Sequence, residues 1–166
     1  DLYDEDTPAA FKTSNALAQH ISFLKDFFKT YKTLSNAHID TLEIMLKNLY
    51  DKFEINDETD LSSIQRDGFP ILEDLYNLID FEYKTYNPEE KKLYDENILR
   101  EILLAIYSIC KGSESRYFNG YTNIKDGRLV TFGVKGLLNS NENLRNALLF
   151  NVLSYMSNEL LTKGNT

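Results

Sequence analysis

The stretch that decides the fold is residues 98–110, ILREILLAIYSIC, which holds the longest nearly apolar run of the 166-residue chain. Its apolar residues recur every three or four positions, which is the spacing of one face of an α-helix. This run is far shorter than the roughly 20 apolar residues that a membrane-spanning helix needs, so we expect no membrane insertion. We predict a helix from about 88 or 91 to 110, with its inward face formed by Ile98, Leu99, Ile102, Leu103, Ile106 and Cys110.

Two earlier segments carry the same spacing and are predicted to form an antiparallel pair of helices. The first covers about 15–32, with Ser14 as its expected N-cap, and the second covers about 36–53, with Ser35 in the same role. The inward face of the first is Leu17, Ile21, Leu24, Phe28 and Tyr31, and that of the second is Ile39, Leu42, Leu46, Leu49 and Phe53.

A third segment completes a predicted four-helix unit over residues 14–111. We expect its helix to begin at Pro70, because the missing N–H of proline costs nothing in the first turn of a helix. It should end before Asn87-Pro88, since the residue before a proline disfavours helical geometry. Its inward face is Leu72, Leu75, Tyr76 and Ile79.

The pattern changes after Gly112. Asp126-Gly127 predicts a hairpin turn that leads into a short strand over 129–134. This strand is apolar on both faces, which is typical of a sheet covered on both sides, and most of that sheet must therefore lie elsewhere. A last helix is predicted over 143–161, with Leu144, Leu148, Val152, Tyr155 and Met156 facing inward.

The charge of the chain argues against a nucleic-acid surface. It has 18 Lys and Arg residues against 26 Asp and Glu residues, a net charge of -8. The acidity lies in residues 1–90, with 8 basic and 19 acidic residues, whereas residues 91–166 have 10 and 7. Because phosphate binding needs a basic surface, we expect no nucleic-acid partner for this segment. One alternative is a single-strand stacking platform, formed by Tyr117, Phe118 and Tyr121 beside Arg116, Lys125 and Arg128.

The sequence contains no motif for catalysis, for a cofactor or for a metal. Its seven glycines are dispersed and form no phosphate-binding Gly-x-x-x-x-Gly-Lys-Ser/Thr loop. His20 and His38 lack partners at metal-ligand spacing and are expected to be structural or solvent-facing. Cys110 is the single cysteine, which fits a reducing cytosol, and its place on an apolar helix face predicts a buried, inert thiol. We therefore assign no catalytic, cofactor-binding or metal-binding residue to this segment.

Two stretches near the predicted strand resemble a known family. They are residues 118–124, FNGYTNI, and residues 129–137, LVTFGVKGL. Both are similar to the pattern Phe-Asn-Gly-x-Thr followed by Val-x-Phe-Asp in the large cytoplasmic ATPases of bacterial conjugative type IV secretion systems, the TraC/TraE-like, VirB-type family. The likeness extends over most of the chain. Its segments follow one another in the same order as in the region between that family's Walker A and Walker B motifs. The candidate family-motif or interaction residues are Phe118, Asn119, Gly120, Thr122 and Phe132.

The resemblance implies a fold in two parts. In this family a mostly helical subdomain interrupts a RecA-like α/β motor core, and the chain then returns to the core. Residues 1–115 would be the helical insertion, and residues 116–166 would supply a β-hairpin or strand and a C-terminal helix to an incomplete core. The whole segment would be mainly α. Gly133 stands where the family commonly has Asp, so any role of that carboxylate would be missing here.

The resemblance also implies a function. The segment would contact other subunits of the parent ATPase and secretion-system components, in the cytoplasm at the inner face of the cell membrane. It would couple ATP hydrolysis by the parent to DNA or protein transfer or to pilus assembly, with ATP and Mg²⁺ bound by the parent and not by this segment. The segment alone should be inactive, since it lacks both nucleotide motifs. The alternative is a free-standing helical adaptor, without enzymatic activity, that binds a partner helix in an apolar groove.

Overall fold

The computed structural model describes residues 16–115, residue 118 and residues 151–155. Within these ranges the chain forms four α-helices, so the predicted mainly α fold is confirmed for this part. The helices are α1 (Ala16–Tyr31), α2 (Asn36–Lys52), α3 (Leu72–Lys84) and α4 (Glu96–Cys110). The predicted β-hairpin and strand lie outside the described residues, as does most of the last predicted helix.

Local hydrogen bonds at the helix ends explain where two of the helices begin. Ser35 is the N-cap of α2, as predicted, and its Oγ accepts a hydrogen bond from the backbone N–H of His38 at 3.2 Å. In return, Nδ1 of His38 accepts from the backbone N–H of Ser35 at 3.2 Å. Asp95 caps α4, because its Oδ1 accepts from the backbone N–H of Ile98 at 2.8 Å. Such caps satisfy N–H groups that have no partner inside the helix.

The prediction that α3 begins at Pro70 is wrong by two residues. Ile71 is the N-cap, and the helix starts at Leu72. The side chain of Asp74 fixes this boundary, because its Oδ2 accepts a hydrogen bond from the backbone N–H of Ile71 at 2.9 Å. Pro70 therefore lies outside the helix and is buried.

The prediction that the fourth helix begins at 88 or 91 is also wrong, since α4 starts at Glu96. Pro88–Glu90 forms a separate 3₁₀ turn, and Lys91 ends it in a left-handed conformation with φ 51°. A residue in that conformation cannot continue an α-helix. Three residues separate Lys91 from Asp95, the N-cap of α4.

The helices pack into one core with α2 at its centre. Helix α2 contacts α1, α3 and α4. Near the start of α3, Glu73 forms an ion pair with Lys111 just beyond the end of α4 (3.2 Å), whereas Glu82 near the end of α3 pairs with Lys92 just before α4 (3.0 Å). Helices α3 and α4 are therefore antiparallel. None of the helices in the described ranges is long and apolar enough to cross a membrane.

The predicted inward faces are confirmed, with four exceptions. Most of the residues named for α1 to α4 are at most 6% exposed. The exceptions are half-buried and lie toward the edges of their stripes or the ends of the helices: Tyr31, Phe53, Tyr76 and Ile98. Apolar spacing thus located the core correctly, although it did not show how deeply the marginal positions are buried.

The orientation of α4 predicts a large loss of stability for one substitution and almost none for another two positions away. Ile106 is 0% exposed and Leu104 is 67% exposed. We expect Ile106→Ala to lower the free energy of unfolding by about 2–5 kcal/mol, because it leaves a cavity in the core. The matched Leu104→Ala variant should change it by less than about 0.5 kcal/mol. Urea unfolding followed by circular dichroism measures both, and equal losses would mean that α4 is rotated relative to this arrangement.

Candidate coupling site between the helices and the returning chain

One of the five candidate residues from the sequence lies in the described part of the chain. Phe118 is 1% exposed, and its ring meets the ring of Phe27 in α1 edge-on, with 6.0 Å between centroids. A side chain buried in this way cannot stack on a nucleic-acid base, so the single-strand alternative loses one of its three aromatic residues. The other candidates lie outside the described residues and stay predictions: Asn119, Gly120, Thr122 and Phe132.

Residues 151–155, here called the return segment, lie against the helices. Asn151, Val152, Leu153 and Ser154 are at most 3% exposed. Residues 151–154 were predicted to be helical, but Asn151 lies in a β-bridge and residues 152–154 form a turn. The side-chain Oδ1 of Asn151 accepts from the backbone N–H of Leu153 at 3.0 Å, and the backbone oxygen of Asn151 accepts from the N–H of Ser154 at 3.1 Å. Asparagine side chains compete with helical hydrogen bonds in this way, which explains the difference.

The carbonyl oxygen of Leu153 receives two hydrogen bonds from the helices. The donors are Nε2 of His20 in α1, at 3.0 Å, and the hydroxyl of Tyr50 in α2, at 2.7 Å. They lie 133 and 103 positions away in the sequence. A third contact joins Nδ2 of Asn151 to the carbonyl oxygen of Pro70, just before α3, at 2.7 Å. The return segment is thus hydrogen-bonded to three parts of the helical core.

The bond to Leu153 fixes the tautomer of His20. A carbonyl oxygen can only accept, so Nε2 must carry the proton and Nδ1 must be the acceptor. Nδ1 is buried and has no hydrogen-bond partner in the described structure. The imidazole is instead surrounded by the rings of Phe23, Tyr50 and Tyr155, with centroids 5.9, 6.0 and 6.2 Å away.

This environment keeps the two donors in their neutral forms. Burial lowers the pKa of His20 to about 4, although its hydrogen bond to Leu153 opposes that effect. Burial also raises the pKa of Tyr50 well above its usual value, so its hydroxyl stays protonated. Both side chains are therefore stable hydrogen-bond donors at neutral pH. Of the two roles that the sequence left open for His20, the structure shows the structural one.

The other histidine connects two helices at the surface. Nδ1 of His38 lies 2.6 Å from Oγ of Ser35, and Nε2 lies 2.6 Å from Oε2 of Glu101 in α4. The order Ser, His, Glu is that of a hydrolytic triad, but Ser35 Oγ is already engaged as the N-cap of α2. We therefore assign these side chains to capping and to the contact between α2 and α4. The described residues contain no group of three side chains suited to hold a metal ion.

Cys110 is buried, as predicted. Burial raises the pKa of its thiol well above the usual value, which keeps it in the unreactive protonated form.

Comparison with known proteins supports the family resemblance. No protein-family model and no curated protein matches the chain. Among solved structures, the chain is similar to VirB4 of Thermoanaerobacter pseudethanolicus, with 27% sequence identity and a TM-score of 0.59. The likeness covers 87% of this chain and 47% of the VirB4 chain, so the chain spans about half of that protein's length. The resemblance to the type IV secretion ATPases is therefore confirmed.

The burial of His20 predicts that acid destabilises the fold. Its pKa is about 4 in the folded chain against an ordinary 6.5, so the unfolded chain binds the proton more readily. The stability that depends on neutral His20 is complete above about pH 6.5 and is lost as the pH falls toward 4, by up to about 3 kcal/mol. Urea unfolding across this pH range, in the wild type and in His20→Phe, measures the effect.

Comparison of the wild type with His20→Phe separates the effect of His20 on stability in acid from the effect of the carboxylates, which both proteins share. The wild type should lose stability relative to His20→Phe as the pH falls from about 6.5 to 4. If the two proteins lose stability in parallel over that range, His20 does not titrate as its burial requires.

Proposed function

We propose that this chain is the mostly helical part of a type IV secretion ATPase, lying between the two nucleotide motifs of the parent protein. The observation that carries the proposal is the likeness to VirB4 over 87% of the chain at 27% identity. The four packed helices agree with a helical subdomain. The stretches FNGYT and LVTFG, at residues 118–122 and 129–133, support the position between the motifs.

In this proposal the chain transmits movement instead of performing chemistry. ATP and Mg²⁺ bind in the RecA-like core of the parent, to which residues 116–166 contribute a strand and a helix. The helices contact other subunits or secretion components in the cytoplasm at the inner face of the membrane, and they couple hydrolysis to DNA or protein transfer or to pilus assembly. The support within the chain is the junction, where Phe118 rests on α1 and the return segment binds α1 and α2. A movement of Phe118 or of the return segment would therefore act directly on α1 and on the central helix α2.

A second candidate function is a free-standing adaptor that binds a partner helix. The observation that favours it is an exposed apolar strip on the outer side of α4, where Leu104 is 67% exposed and Tyr107 is 53% exposed. Tyr107 also contacts Tyr76 of α3, with ring centroids 6.0 Å apart, so the strip borders the line where α3 and α4 meet. An amphipathic partner helix could lay its apolar face on such a strip. The strip is small, however, and patches of a few hundred Å² are common on proteins that bind nothing there.

The sequence that flanks this chain in its gene separates the two functions. We expect Gly-x-x-x-x-Gly-Lys-Ser/Thr upstream and an apolar strand ending in Asp-Glu within about fifteen residues downstream. The protein expressed with these flanks should release phosphate from ATP, and an alanine in place of the loop lysine should abolish that activity. Residues 1–166 alone should show none.

Two results would contradict the ATPase proposal. One is a gene that lacks both motifs, which would favour the adaptor. The other is ATP turnover by residues 1–166 that persists through further purification, because this chain contains neither motif.

A further inference from the structure

We propose that the outer face of α4 binds the same face of a second copy of this chain, with the two α4 helices antiparallel. This face is here called the α4 stripe, and it consists of Glu96, Arg100, Leu104, Tyr107 and Lys111. The pairing would supply one of the subunit contacts proposed above, so its use in the parent protein rests on the proposed function. The pairing itself does not.

The residues of the α4 stripe form one continuous line along the helix. They follow one another at spacings of four, four, three and four positions. At 3.6 residues per turn, such positions stay within an arc of about 80° around the helix axis. The line is about 22 Å long, because each residue adds 1.5 Å. The stripe therefore offers a second helix a straight contact along the whole of α4.

The side chains of the stripe face away from the core. Leu104 is 67% exposed and Tyr107 is 53% exposed, and the three charged residues are exposed as well. Covering the apolar pair at the centre of this face would be favourable, because it removes apolar surface from water. Tyrosine and arginine are also enriched among the residues that contribute most to binding at interfaces.

The order of charges makes the stripe complementary to itself in the antiparallel direction. Lys111 lies seven positions after Leu104, and Glu96 lies eight positions before it. Two antiparallel helices centred on Leu104 therefore place Lys111 of each copy opposite Glu96 of the other. A parallel pair would place like charges opposite each other, which is unfavourable. Self-complementary faces of this kind form dimers with twofold symmetry.

The same register pairs the two remaining residues of the stripe. Arg100 lies four positions before Leu104 and Tyr107 lies three positions after it, so Arg100 of one copy meets Tyr107 of the other. A guanidinium group stacks favourably on an aromatic ring. The Tyr107 ring is already oriented by its edge-on contact with Tyr76 of α3, at 6.0 Å between centroids. An oriented side chain loses less entropy on binding.

Lys111 also has contacts within its own chain, and these are compatible with the pairing. Its Nζ lies 3.2 Å from Oε1 of Glu73 and 5.8 Å from the centroid of the Tyr76 ring. An ammonium group has three donors, so Glu73 and Glu96 of the second copy can share it. The contacts with α3 restrict Lys111 before binding, which lowers the entropy that the pairing costs.

Sedimentation equilibrium of residues 1–166 tests the pairing. A single pair of helices buries less than the roughly 1,200 Å² of a stable interface, so association should be weak. The wild type should be a monomer at about 10 µM, and its average mass should rise toward that of a dimer at about 1 mM. Leu104→Asp places two carboxylates at the centre of the pair and should weaken association more than about tenfold.

Leu93→Asp is the matched control. Leu93 is 93% exposed and lies before α4, outside the stripe. The substitution adds the same charge to the chain, so it should leave association at the wild-type level. Circular dichroism should show unchanged helix content in both variants, because both leucines are exposed.

A charge exchange tests the antiparallel register. Glu96→Lys faces Lys111 of the second copy with a like charge, and Lys111→Glu likewise faces Glu96. Each single variant should therefore associate about fivefold more weakly than the wild type, or less strongly still. An equimolar mixture of the two variants restores both contacts between opposite charges. The mixture should form mixed dimers about as strongly as the wild type pairs with itself.

The pairing is overturned if the wild type stays monomeric at about 1 mM. It is equally overturned if Leu93→Asp weakens association as much as Leu104→Asp, or if the mixture of charge variants associates no better than either variant alone. These measurements use no nucleotide. A parent protein without ATPase activity would refute the proposed function and leave the association result standing.

Discussion

The carbonyl oxygen of Leu153 is the contact on which the arrangement of the described chain depends. It accepts from His20 of α1 and from Tyr50 of α2, so one atom joins two helices to a segment more than 100 positions later in the sequence. The other boundaries in the structure are set locally, by caps such as Ser35 and Asp95. The Asn151 side chain adds a hydrogen bond from the same segment to the carbonyl oxygen of Pro70, just before α3.

The need for that contact follows from the sequence of the return segment. The hydrogen bonds of Asn151 to the backbone N–H groups of Leu153 and Ser154 form a turn, and the Leu153 carbonyl of this turn faces α1 and α2. A buried carbonyl must still find a donor, because leaving it unpaired is costly. Neutral His20 and Tyr50 supply two donors, and the cost appears instead at Nδ1 of His20. The same residues thus explain the docking of the segment and the acid sensitivity of the fold.

The sequence predicted the parts of this structure that depend on local signals. Apolar spacing placed α1 and α2 to within one or two residues, and Ser35 marked the start of α2. Apolar spacing failed at the start of α4. The chain there forms a short 3₁₀ turn that ends at Lys91 with a positive φ, and apolar spacing does not show such a turn. His20 could have been placed on the buried face of α1, since Leu17 and Leu24 flank it at helical spacing. Its hydrogen-bond partner, the Leu153 carbonyl, could not have been predicted, because no sequence pattern relates residues 133 positions apart.

The central claim is that His20 joins the helices to the return segment as a buried, neutral donor. Two-bond ¹H–¹⁵N correlation of the histidine rings by NMR tests it most directly, since the nitrogen shifts report both the tautomer and the charge. The account predicts that the His20 ring is the neutral Nε2–H tautomer at neutral pH and remains neutral down to about pH 5. A neutral Nδ1–H tautomer, or a ring already protonated at about pH 6, would contradict it.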